Sequence, residues 1–144
     1  MNKCFEKIKF YLRRPKVIVV AGAAQKTAKE AISAVLRPYF KIGKEVLVFE
    51  STSRDAKELA FFLRKSSFPI LVVSHLGEYH PEKEFFAGEL RDAEDVIKLA
   101  QSLPAHGHLV LNYDDETVRD IHNQSLAHPL TFYHTQAYLT PYHK

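Results

Sequence analysis

An α/β fold is predicted, with a doubly wound, mostly parallel sheet of about five strands and flanking helices. Three observations lead there. Short β-branched runs recur along the chain, stretches with helical spacing separate them, and the runs are apolar throughout, as in strands covered on both faces. At 144 residues, with 46% hydrophobic and 26% charged side chains, the composition is that of one folded domain and excludes a disordered or fibrous chain. No apolar run nears the ~20 residues that span a bilayer, and no signal-peptide pattern opens the chain, so a cytoplasmic location is expected. The single Cys4 allows no internal disulfide and no zinc cluster.

The elements follow in order. Residues 1–14 read as a basic amphipathic helical segment. Lys3, Lys7, Lys9, Arg13, Arg14 and Lys16 stand against Glu6 alone, a local charge of +5 on a chain of +3. Phe5, Ile8 and Leu12 have the spacing to dock this helix on the body, and the competing reading is an arm that touches an anionic membrane or a partner. With no basic stripe further on, nucleic acid is not an expected partner. After Pro15, Lys16–Ala21 is the first strand. Ala28, Ala31, Ile32 and Val35 line a helix from Thr27 to Leu36, which Pro38 stops. Val46–Phe49 is a strand ending in Glu50, and a helix runs from about Ser53 to Lys65. Pro69 opens a strand over Ile70–Val73, and a helix near Leu90–Leu103 follows. Leu109–Leu111 is the fourth strand, Glu116–Leu126 a weaker helix, and Leu130–Tyr133 the fifth strand. Residues 15–135 form the core, and 136–144 are an irregular tail.

In open α/β sheets ligands gather beyond the carboxyl ends of the strands. There this chain places Gly22-Ala23-Ala24-Gln25-Lys26-Thr27, then Glu50, then Ser74, His75 and His80, then Asn112, Asp114 and Asp115. The first segment has the parts of a phosphate-binding loop: backbone amides and a helix start to hold phosphate, Lys26 to neutralise it, and Thr27 to ligate Mg²⁺. An ordinary strand–helix turn fits equally well, because Gln25 stands where such loops carry glycine. Glu50 is placed as a metal carboxylate or as a surface glutamate at a strand end. Asp114 is placed for metal or nucleotide, while Asp115 reads as a helix cap. His106 and His108 fall in the loop before the fourth strand.

These segments resemble the ATP-binding central domain of the Mur ligase family, closest to its UDP-N-acetylmuramoyl-tripeptide–D-alanyl-D-alanine ligase branch. VIVVAGAAQKTAKEAISAVL (17–36) is similar to the opening strand and the loop G-x-x-G-K-T-[ST]-[ST]-K-E. FPILVVSHLGEYH (68–80) is similar to P-x-x-a-V-x-T-N-I-G-x-A-H, and GHLVLNYDD (107–115) to G-x-x-V-L-N-x-D-D. The resemblance covers about residues 15–135 and implies a P-loop NTPase-like fold. It also implies ATP and Mg²⁺ as cofactors, and ligation of a carboxylate to an amine through an acyl phosphate in peptidoglycan precursor synthesis. Carried over by position, Lys26 would contact the β- and γ-phosphates, with Gly22, Ala23, Ala24, Gln25, Asn112 and Asp114 around the nucleotide. Thr27, Glu50 and His80 would serve metal, Glu94 would take the place of the family's carbamylated, metal-binding lysine, and Lys26, Glu50 and His80 would be the catalytic residues.

Departures shape the functional expectation. Gln25 replaces the loop glycine, Ala28 a hydroxyl residue and His75 an asparagine. The segment from Phe40 to Val46 is shorter than the family's substrate-facing connection. The family's adenine motif and its UDP-binding and C-terminal domains have no counterpart here. The expectation is thus a reduced domain without full ligase turnover, or one completed by a separate chain. A degenerate, non-catalytic binding module (a pseudoenzyme) is the alternative, and a docking protein led by the basic helix is the second.

Overall fold

The computed structural model describes residues 3–76 and 87–132. Its elements are α1 (Lys3–Arg13), β1 (Lys16–Ala21), α2 (Gln25–Leu36), β2 (Val46–Glu50), α3 (Ala56–Lys65), β3 (Pro69–Val73), α4 (Ala87–Ser102), β4 (His108–Asn112), α5 (Glu116–Asp120), a 3₁₀ turn (Ile121–Gln124) and β5 (His128–Phe132). The five strands form one sheet in the order β2-β1-β3-β4-β5, and every pairing is parallel. In register, Val19 sits beside Leu71, Leu71 beside Leu109, and Val110 beside Leu130. The fold is the doubly wound α/β sheet that the apolar runs predict.

Alternation along each strand divides the core. Val17, Val19 and Ala21 of β1, Leu71 and Val73 of β3, and Leu109 and Leu111 of β4 point to one face. There they meet Leu59, Phe62 and Leu63 of α3, Val96 and Leu99 of α4, and Val118 of α5. Ile18, Val20 and Val46 point to the other face, where Ala28, Ile32 and Leu36 of α2 pack with Phe40. Burial on both faces is therefore complete only for β1. β3 and β4 alternate between buried and half-buried, and β5 is exposed along its length. The cause is coverage: among the described elements, α2 alone packs on the second face.

Ser66 joins the start of the sheet to the end of α3. Its buried hydroxyl donates to the Pro15 carbonyl at 2.9 Å and accepts from the amides of Val17 (3.0 Å) and Phe68 (3.1 Å). α1 departs from the sequence expectation. Phe10 is buried, with its ring centroid 4.7 Å from that of Phe62, whereas Phe5, Ile8 and Leu12 face outward. Ile8 and Leu12 each lie two residues from Phe10, roughly 200° around the helix, so docking through Phe10 turns them away. His108 is also relocated. It is the first residue of β4, half-buried, its ring tilted against that of Phe68 with centroids 4.6 Å apart, and not part of the loop before the strand.

Candidate functional site

The order 2-1-3-4-5 puts the topological switch point between β1 and β3, where successive loops leave on opposite faces and a crevice opens in many such sheets. Here the two loops are tied together instead. The Ala23 amide donates to the His75 carbonyl at 2.7 Å. The Ser74 hydroxyl lies 2.6 Å from the Ala23 carbonyl and 3.2 Å from that of Ala21. Gly22 has φ +97°, and a β-carbon there would come within 2.6 Å of the His75 oxygen. Its glycine is thus required by protein backbone passing close by.

Left-handed backbone falls one residue earlier than expected. Ala24 has φ 56° and ψ 22°, while Gln25 is the first residue of α2. Gln25 therefore meets no conformational obstacle at the position where phosphate loops carry glycine. Its side chain crosses to the end of β2. There its Oε1 accepts from the amide (3.0 Å) and hydroxyl (2.8 Å) of Ser51, and its Nε2 donates to the Thr52 hydroxyl at 3.2 Å. No side chain caps α2, so the amides of its first turn are left to solvent or to a ligand. Lys26 and Thr27 are exposed beside them.

Glu50 ends β2, and its Oε1 is 3.2 Å from the Nζ of Lys29, one helical turn beyond Lys26. The lysine that meets this carboxylate is therefore Lys29. Glu94 is exposed on α4, about 10 Å along the axis from the start of that helix and away from the sheet's carboxyl rim. His80 lies outside the described residues. Among the described residues no group of three or more His, Cys, Asp or Glu side chains assembles around a common point. Glu50 and Glu94 therefore belong to no such group, and the Lys29 contact already compensates Glu50. The fit to an anion differs: free amides, the positive end of a 12-residue helix and an exposed ammonium suit a phosphate group.

Beyond β4, the Asn112 side chain accepts from the Asp114 amide at 3.1 Å, which shapes the turn. Asp115 is 6% exposed and caps α5, its Oδ1 accepting from Thr117 (2.9 Å) and Val118 (3.2 Å). Its Oδ2 accepts from the Leu76 amide at 2.9 Å and meets His75 Nδ1 at 2.7 Å. The cap was readable from the sequence. The Gln25–Ser51 and His75–Asp115 contacts were not, because their partners lie 26 and 40 residues apart and follow from strand order alone. No protein-family model matches the chain, and no curated protein matches it.

Proposed function

We propose that this chain is a binding module on a Mur-ligase-like scaffold, cytoplasmic in location. It holds a phosphate-bearing ligand, with ATP the expected one, on the first turn of α2 and Lys26, without ligase turnover of its own. One observation carries this reading: the uncapped start of α2 stands beside exposed Lys26, while the neighbouring Glu50 is bound to Lys29. Phosphoryl transfer in this class depends on metal carboxylates and a phosphate cradle acting together. In this reading the anion-binding part is kept, while Glu50 is taken up by Lys29.

The chain's own residues divide the work. Lys26 supplies charge to the ligand phosphate, and the first-turn amides supply directed hydrogen bonds. Gln25 fixes the helix start against Ser51, so the donors keep their direction. Gly22 and Ala23 hold the loop down on β3.

Calorimetric titration tests the reading, with ATP added together with Mg²⁺ and again with a chelator. Binding in both arms, reduced about tenfold or more by Lys26→Ala, is the expected outcome. An absence of heat at millimolar nucleotide would refute it. Mg²⁺-dependent release of phosphate from ATP would favour the ligase component instead, with His80 completing the metal site.

A further inference from the structure

A different surface begins at the amino end of the sheet and runs along α1 beside β2. On α1 the side chains of Phe5, Ile8, Tyr11 and Leu12 are between 53% and 79% exposed, which is most of the helix's apolar surface. Phe10 is its buried anchor, against Phe61 and Phe62, with the Lys7 ammonium over Phe61 and that of Lys65 over Tyr11. Between α1 and β2 lies a groove of about 300 Å³ with Phe5, Phe10, Leu47 and Phe49 in its walls and Lys9 and Arg13 at its rim. Next to it, sharing Arg13, Pro15 and Lys44, is a hollow of about 490 Å³ that Arg14, Lys16 and Lys41 also line. Two carboxylates reach these spaces. Glu6 lines the groove, and Glu45 lines the hollow with its Oε2 held by the Lys41 amide at 2.7 Å.

We infer that α1 and this basic rim form a peripheral docking face for a bilayer surface rich in anionic phospholipid. Charge complementarity selects the occupant: cations crowd one end of the fold, on a chain whose remainder beyond residue 16 is net negative. The apolar stripe selects lipid over nucleic acid, since Ile8 and Leu12 offer a base or phosphate nothing, whereas both can enter the acyl boundary. The 11-residue helix is about 16 Å long, half of a hydrocarbon core, so it lies in the plane of the interface. Consistent with this, no helix among the described residues is long and apolar enough to cross a membrane. In this pose Phe5, Ile8 and Leu12 enter the lipid while Arg13, Arg14, Lys16, Lys41 and Lys44 meet headgroup phosphates.

The test is co-sedimentation of the full chain with vesicles of pure phosphatidylcholine, and with vesicles in which about a third of it is replaced by phosphatidylglycerol. Binding to the anionic vesicles alone, weakened by added salt, is expected. Replacing Phe5, Ile8 and Leu12 together by Ser should lower it at least tenfold with the thermal midpoint unchanged, as all three are exposed. Lys41→Glu with Lys44→Glu should lower it about 25-fold or more, at roughly fivefold per cation removed. Lys26→Ala should leave it untouched, which keeps this face independent of the anion site on α2. Three outcomes would overturn the inference: no anionic preference, self-association through α1 that excludes vesicles, or oligonucleotide binding tighter than vesicle binding and indifferent to the triple Ser variant.

Discussion

The two rims of the sheet are built on opposite principles. At the carboxyl rim, where chemistry is expected in this fold, polar side chains are matched in pairs: Lys29 with Glu50, Gln25 with Ser51, His75 with Asp115. At the amino rim, five cations surround one hollow with a single carboxylate among them. Matched pairs hold backbone in place and leave few groups for a ligand, whereas unmatched charge adds little to folding and stays available to a partner. Position beyond the strand ends therefore does not by itself identify a reactive edge. The state of each side chain's partners does.

Substitutions that break the comparison should differ in stability by rim, measured as denaturant midpoints at constant slope. The largest loss is expected from Gly22→Ala. It combines a strained φ with a clash against the His75 backbone and should cost roughly 3 kcal/mol or more. Asp115→Ala removes the α5 cap and strands the Leu76 amide, for about 2–3 kcal/mol. Gln25→Gly frees Ser51 and puts glycine in a helix turn, for about 1–2 kcal/mol. Ala24→Gly should do the reverse. Relief of left-handed strain outweighs the added chain entropy, so a gain of ~0.5–1 kcal/mol is expected. The smallest effect belongs to the amino rim, where Lys41→Glu with Lys44→Glu should stay within ~0.5 kcal/mol of the parent. A loss of 2 kcal/mol or more there, about the size set for Asp115→Ala, would erase the contrast.

Much of the scaffold was legible because each central strand is one contiguous apolar run. Lys16–Ala21, Pro69–Val73 and the segment around Leu109–Leu111 read as strands without reference to partners. α2 was placed two residues late, since its start is set by the backbone of Ala24 and not by a capping side chain. α1 misled because it has apolar side chains on two sides, and periodicity does not say which side docks. At the candidate site, the KTAKE segment offered two lysines. The loop pattern drew attention to Lys26, but the register of β1 with β2 delivers Lys29 to Glu50. The Ser66 junction was not legible, because two of its three partners, Pro15 and Val17, lie about 50 residues away and are brought to it only by the fold.

The double duty of Asp115 has a consequence for how the molecule opens. One carboxylate secures both the first turn of α5 and the chain leaving β3, so neither can fray without loosening the other. In amide hydrogen exchange, Leu76, Thr117 and Val118 should lose protection together, although Leu76 and Val118 lie 42 positions apart in sequence.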